Sequence, residues 1–223
     1  DKKLVNHEWV EAKNISEDDL ITIAIPTYEK DYRLYDEKDC YFYGIMIGDG
    51  HICMNRNEAG ISLGYKKNKV LEFCKKYLDL NLINYWISEN ETTVSIRWTI
   101  SSKFKFNRNQ LYDSNKLKII DDIFLNLPME KAKWIVKGLM DINGCINDEL
   151  TLELTSLQVL EATKYILLRM GILTSGYSKN IETKLPTWVL RIPKVESIAQ
   201  LLDVKPAKYK KFLFDGEYLY TRA

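Results

Sequence analysis

The sequence predicts an α+β fold: two pseudo-symmetric α-β-β-α-β-β-α halves, with helices on one side of each sheet and the two open faces joined in a saddle-shaped β-surface. Two observations carry this. An apolar segment occurs twice, as Phe42-Tyr-Gly-Ile-Met-Ile-Gly-Asp-Gly50 and about 94 residues later as Val136-Lys-Gly-Leu-Met-Asp-Ile-Asn-Gly144, with Gly at the third and ninth positions of each copy. The hydrophobic periodicities after each copy then run in the same order.

Each copy reads as a helix. Asp39 leads into Cys40 to Ile47 in the first, and Pro128 leads into Gly138 in the second, with the last glycine at the helix end. Strand pairs follow: Ile52 to Asn55 with Gly60 to Tyr65, and Cys145-Ile146 with Leu150 to Thr155. Three-to-four spacing predicts helices over Asn68 to Leu80 and Leu157 to Met170. Second strand pairs are Asn84 to Ser88 with Thr93 to Ser101, and Ser175 to Ile181 with Trp188 to Ile192. Closing helices are expected at Lys116 to Leu125 and Val195 to Leu202. The halves therefore span 39–126 and 127–204, with terminal segments 1–38 and 205–223. An open sheet face in a tandem repeat wants a pseudo-two-fold partner, which a single monomer supplies to itself.

The bulk numbers permit this and exclude little. The 223 residues, 46% of them hydrophobic, suffice for a sizeable core. The 32 basic and 31 acidic residues cancel, so any polyanion-binding surface must come from charges segregated onto one face. Cys40, Cys53, Cys74 and Cys145 are too scattered for zinc, with only His7 and His51 to help. They suit a reducing intracellular compartment, as small core hydrophobes. No apolar run approaches the ~20 residues a membrane span needs. The chain starts at Asp1 without a signal segment, which reads as a fragment of a longer chain.

Gly44 with Gly48, and Gly138 with Ile142, place small or flat residues one turn apart, so the two repeated helices are expected to pack on each other. Asp49 lies at a helix C-terminus, where the dipole disfavours a carboxylate by roughly 0.3 to 1 kcal/mol. A residue set against its local field suggests an external cation. If two such ends meet, their acidic residues and carbonyls offer hard oxygens of the kind Mg²⁺ prefers.

These paired segments and the order of elements around them resemble the two signature motifs of single-chain LAGLIDADG homing endonucleases, over roughly Asp39 to Leu202. The resemblance implies a Mg²⁺-dependent double-strand break in a long double-stranded DNA site, with Mn²⁺ as a substitute and Ca²⁺ as a non-cleaving mimic. It implies metal ligands at Asp49 and Asn143, with the neighbouring Gly48 and Ile142. Asn143 departs from the family's acidic residue. An amide gives one neutral oxygen and no charge, so the shared metal site is weakened. Two origins fit: an inactivating substitution made to keep DNA intact, or natural decay of this copy. Asp141 is nearby but belongs to the helix. The family's lysine near the scissile phosphates corresponds to Lys194 after Arg191-Ile-Pro, and to Lys103 after Ile100-Ser-Ser.

Strand alternation would send a set of polar residues to the open face: Asn55, Arg56, Asn57, Arg97 and Thr99 in the first half, and Glu153, Thr155, Lys179, Asn180 and Arg191 in the second. Arg suits guanine and Asn suits adenine, while other contacts would fix register on phosphates. The linker Lys103 to Asn115, rich in Lys, Asn and Arg, reads as a segment along the DNA backbone or, alternatively, as a solvated connection. The terminal segments resemble the inner edges of an intein splicing domain, through Trp9-Val-Glu-Ala12 and Tyr218-Leu-Tyr-Thr-Arg222, which implies an intein endonuclease domain acting on DNA inside the cell. Without Cys or Ser at residue 1 or a terminal His-Asn, this chain itself is not expected to splice. A non-cleaving DNA-binding or maturase-like protein on the same scaffold is the alternative, and an incidental role for Asp49 in a purely structural repeat the third.

Overall fold

A computed structural model describes residues 8–147, 149–179, 186–207, 212–214 and 218–222. In chain order the elements are β1 (Leu20–Ala24), α1 (Glu37–Gly48), β2 (Gly50–Cys53), β3 (Glu58–Gly64), α2 (Asn68–Leu80), β4 (Tyr85–Glu89), β5 (Thr93–Thr99) and α3 (Asp122–Leu125). The pattern then repeats as α4 (Met129–Asn143), β6 (Gly144–Ile146), β7 (Leu150–Leu154), α5 (Leu157–Arg169), β8 (Ser175–Lys179), β9 (Thr187–Ile192) and α6 (Glu196–Leu202), before β10 (Phe212–Phe214) and β11 (Tyr218–Arg222).

The two main sheets are antiparallel with the same strand order, β2-β3-β5-β4 and β6-β7-β9-β8. Their registers also match. Gly50 opposes Ile61 as Gly144 opposes Leu152, and Gly60 opposes Arg97 as Thr151 opposes Arg191. Alternation puts Ala59, Ile61, Leu63, Val94, Ile96 and Trp98 in the core, with Leu150, Leu152, Leu190 and Ile192 as their counterparts. Ser62, Thr99, Glu153 and Arg191 face outward. The third sheet, β1-β11-β10, joins the terminal segments, from Leu20 opposite Arg222 to Ala24 opposite Tyr218.

Helix α1 starts in a reciprocal capping box: Asp39 N donates to Asp36 at 2.9 Å and Asp36 N donates to Asp39 at 2.8 Å. Asp39 is buried and also accepts from Tyr77 Oη and Lys105 Nζ, both at 2.7 Å, which ties the helix start to α2 and to the linker. Helices α1 and α4 cross at their glycines, backbone against backbone. Around them an aromatic cluster of Tyr35, Phe42, Tyr43, Phe106 and Phe124 fills the first half, Tyr43 stacking on Phe124 with centroids 3.7 Å apart.

Three expectations are corrected. The helix expected from Lys116 is confined to Asp122–Leu125, because Lys116 adopts a left-handed φ of 65° and Tyr112 bridges Lys118 in an antiparallel pair. The linker is not solvated: Phe104, Phe106 and Leu111 are core residues, and the lysine and arginine between them bind Asp39 and the Ile52 carbonyl. The motif's last glycines stand at the helix ends as expected, and Gly144, the C-cap of α4, is extended (φ −77°, ψ 143°). They are needed because the chain doubles back on the helix, so that a Cβ on Gly50 would lie 2.6 Å from Met46 Cα and one on Gly144 2.4 Å from Met140 O. Of the cysteines, Cys40 and Cys74 are buried in the core, whereas Cys53 is half-buried and Cys145 exposed. Among the described residues, no helix is long and apolar enough to cross a membrane.

Candidate functional site

The two repeated helices end side by side. A Cβ on Gly48 would fall 2.4 Å from Asn143 Oδ1 and 2.8 Å from Ile142 Cγ2, so the absence of a side chain at Gly48 is what lets the ends of α1 and α4 touch. Asp49 caps α1, its N–H donating to the Ile45 and Met46 carbonyls. Its carboxylate opens to solvent on one side, yet the surrounding protein desolvates it enough to raise its pKa above the ordinary value. A hydrogen bond from the Asn143 side chain and the charges of Lys67 and Lys118 pull it partly back. Asn143 Oδ1 is buried and, among the described residues, has no hydrogen-bond partner. Among the described residues no three His, Cys, Asp or Glu side chains converge, and the two motif ends bring one carboxylate, Asp49, beside one amide, Asn143.

Two lysines that the sequence did not single out complete this end of the molecule. Lys67 Nζ donates to the Asp141 carbonyl at 2.6 Å. Lys118 Nζ donates to the carbonyls of Met46 at 2.6 Å and Gly50 at 2.5 Å, bracketing the turn that carries Asp49. Burial pushes the Lys118 ammonium down to about 7, against the attraction of Asp49. The one sequence signal for Lys118 was a lysine set among Leu117, Ile119 and Ile120. Asp141 is engaged in packing the helices: it accepts from Tyr41 Oη and Lys137 Nζ, each at 2.6 Å.

The two lysines taken from the resemblance meet backbone carbonyls. Lys194 Nζ donates to the Asn147 carbonyl, one short strand beyond Asn143. Lys103 Nζ lies 3.4 Å from the Leu82 carbonyl, just past the C-terminus of α2. Lys67 is at the other end of that helix, about 20 Å away at the usual rise per residue.

The outer sheet faces hold most of the remaining candidates. Asn55 and Arg56 sit exposed in a single 3-10 turn, and Asn57, at φ 50°, donates to the Ile100 carbonyl at 3.2 Å. Thr99 and Thr155 are exposed. Asn180 lies outside the described residues. Three basic candidates are paired with carboxylates: Arg97 with Glu58 at 3.8 Å, Lys179 with Glu153 at 2.8 Å, and Arg191 with Glu149 at 3.3 Å. Arg191 also lies over the Tyr177 ring, 5.1 Å from its centre. Among the described residues, three of the basic candidates on this face are thus in ion pairs, and Arg56 is exposed. Sequence reading missed Glu58 and Glu149 as partners.

No protein-family model matches the chain. A curated relative, the ATP-dependent DNA helicase Hel308 of Methanocaldococcus jannaschii, is 28% identical over 183 residues, 78% of this chain. The chain spans 15% of the length of that relative. Among solved structures, mesophilic variants of the homing endonuclease I-DmoI superpose with a TM-score of 0.58 at 18% identity, covering 76% of this chain and 97% of that one. I-DmoI in complex with DNA and Ca gives 0.55 at 18% identity over 70% and 82%. Full-length DUF199/WhiA from Thermatoga maritima gives 0.52 at 14% identity, covering 80% of this chain and 58% of that one. With the duplicated sheets and the crossed motif helices, these likenesses give the chain its place: it has the single-chain, two-motif LAGLIDADG fold.

Proposed function

We propose that the chain is a site-specific DNA endonuclease of the LAGLIDADG type: a monomer that binds a long double-stranded site along its two sheets and makes a metal-dependent double-strand break at the pseudo-dyad, weakened by Asn143. One observation carries the reading. The motif helices end with Asp49 and Asn143 in contact, and the buried Asn143 Oδ1 finds no donor among the described residues.

The donor set fits a hard divalent ion. Asp49 would supply charge, Asn143 Oδ1 a neutral oxygen, and Gly48 and Ile142 backbone carbonyls, a set suited to Mg²⁺ or Mn²⁺. Bound there, the ion would polarise the phosphodiester and lower the pKa of an attacking water. The protein's own groups set the rest. Lys118 is poised near neutrality, so its Nζ can carry positive charge beside a phosphate or exchange a proton there. Asp49 would hold the cation, and Lys67 would add charge that offsets the phosphate. Only one carboxylate is available where the duplication would supply two, so turnover is slow. The complex of I-DmoI with DNA and Ca supports both partners by analogy of fold.

The terminal sheet supports a second part of the reading, an intein setting. Strands β1 and β11 bring residues 20–24 and 218–222 together in a sheet of their own, an arrangement that suits a nuclease body inserted into a separate splicing module. A non-cleaving DNA-binding protein is the competing reading, and the amide at Asn143 is what favours it.

Selection of bound duplexes from a randomised library in Ca²⁺, followed by titration of the selected duplex at rising salt, tests the binding. We expect one long enriched site whose affinity falls steeply, with a log–log slope of about −0.9 per phosphate neutralised. Failure to enrich a site, or salt-insensitive binding, would reject the reading.

A further inference from the structure

We propose that the two halves of the pseudo-dyad cut the two strands of the target in a fixed order and at unequal rates, so that a duplex nicked in one chosen strand is the main product. The inference rests on the endonuclease reading above and adds strand selection to it.

The duplication of the fold does not extend to the charges at its centre. The carboxylate of Asp49 at the end of α1 has the neutral amide of Asn143 as its counterpart at the end of α4. The charged groups that act on Asp49, Lys67 and Lys118, both belong to the first half. Lys118 Nζ brackets the Asp49 turn through the Met46 and Gly50 carbonyls. Lys194 lies in the matching stretch of the second half, between the last main strand and the closing helix, but donates to the Asn147 carbonyl instead. Among the described residues, no ammonium donates to the carbonyls of Met140 and Gly144, which hold the places of Met46 and Gly50 in the second copy.

The connections account for the difference. Residues 100–121 give Lys118 a long path back to the end of α1, whereas only Pro193 to Val195 separate β9 from α6. The helix starts differ as well. Lys67, at the start of α2, donates its Nζ to the Asp141 carbonyl, while Ser156, at the start of α5, donates its Oγ to the Lys118 carbonyl at 2.6 Å. The second half thus holds the backbone of Lys118 and contributes no cation of its own there.

A duplex centred between the helix ends presents one phosphate of each strand to them. The phosphate beside α1 meets a carboxylate suited to a divalent ion, with an ammonium next to it, and the phosphate beside α4 meets an amide oxygen. In each cut a water oxygen bonds to phosphorus, the bond from phosphorus to the sugar oxygen breaks, and the water's proton ends on the released hydroxyl. Charge aimed at such a centre changes its rate by about 100-fold or more, so the first cut is complete long before the second.

The test follows the library-selected duplex in Mg²⁺, both in a supercoiled plasmid and as a fragment labelled on either strand. Nicked circle should accumulate, with one strand broken about 100-fold faster than the other. Binding in Ca²⁺ gives a readout that needs no cleavage: central phosphates of either strand are replaced one at a time by a neutral methylphosphonate. The central phosphate of the nicked strand should cost about 10-fold more affinity than its mate in the other strand. Lys118→Met should abolish that difference, and Asn143→Asp should shrink the nicked intermediate by supplying the second carboxylate. Equal cutting rates, or neutral phosphates that cost the same in both strands, would overturn strand selection and leave the endonuclease reading standing. A strand difference that persists in Lys118→Met overturns the part given to that lysine. If the duplex is bound but neither strand is ever nicked, the endonuclease reading and this inference fall together.

Discussion

Gly44 and Gly138 face each other across the crossing of α1 and α4: a Cβ on Gly44 would lie 3.1 Å from Gly138 Cα, and one on Gly138 would lie 3.0 Å from Gly44 Cα. The tighter contacts are with backbone oxygens, Ile135 O at 2.3 Å and Tyr41 O at 2.4 Å, which cannot rotate away. Replacing either glycine by alanine must push the helices apart, at a cost of about 3 kcal/mol or more. Gly64→Ala is the control, since nothing lies within 4 Å of a Cβ there. Urea denaturation should show Gly44→Ala and Gly138→Ala strongly destabilised and Gly64→Ala within about 1 kcal/mol of the parent. Equal effects at all three would show that the crossing is looser than described.

Asp36 and Asp39 make the same kind of capping contact but differ in what else depends on them. Asp36 serves the cap, and Asp36→Ala should cost about 1 kcal/mol. Asp39 also receives Tyr77 Oη and Lys105 Nζ in the core. Its loss strands both, and with Lys105 partly exposed the expected cost of Asp39→Ala is about 2–4 kcal/mol. Indistinguishable unfolding midpoints for the two variants would refute the assignment.

Lys118 gives the stability a pH dependence with a definite sign. Its folded pKa is depressed to about 7 from the ordinary 10.5, so between those values the unfolded chain binds the additional proton. Stability should therefore rise with pH from about 7 towards 10.5 and be independent of this group below 7. Lys118→Met removes the contribution. Chemical denaturation of both chains at pH 6, 7, 8 and 9 should show the parent gaining on the variant only above about 7. Parallel curves would mean that the ammonium is not desolvated.

The sequence was most legible where one physical pattern acts alone. Helix α2 runs over Asn68–Leu80 as its apolar spacing predicts, because Val70, Cys74, Tyr77 and Leu78 all face the core. Helix α1 begins before Cys40 because its cap uses an aspartate at the third helical position, where glutamate or glutamine is the usual signal. Lys118 was hidden because its segment resembles an amphipathic helix while one left-handed residue, Lys116, turns the lysine inward. The ion pairs of Arg97 and Arg191 depend on cross-strand register, which equal spacing along the chain does not reveal.

Asn143 stands where the account is most exposed. If the pseudo-dyad is a metal centre short of one carboxylate, Asn143→Asp restores charge beside Asp49 without changing shape. The direct measurement is cleavage of the library-selected duplex in Mg²⁺ and in Mn²⁺ by this chain and its Asn143→Asp form, side by side. The account predicts that the aspartate form cuts both strands at the centre of the site, faster than the parent by about 100-fold or more, as expected when a charged group at a reacting centre is regained. Equal binding by both chains with no cleavage by either would contradict it and leave a DNA-binding protein that does not cut.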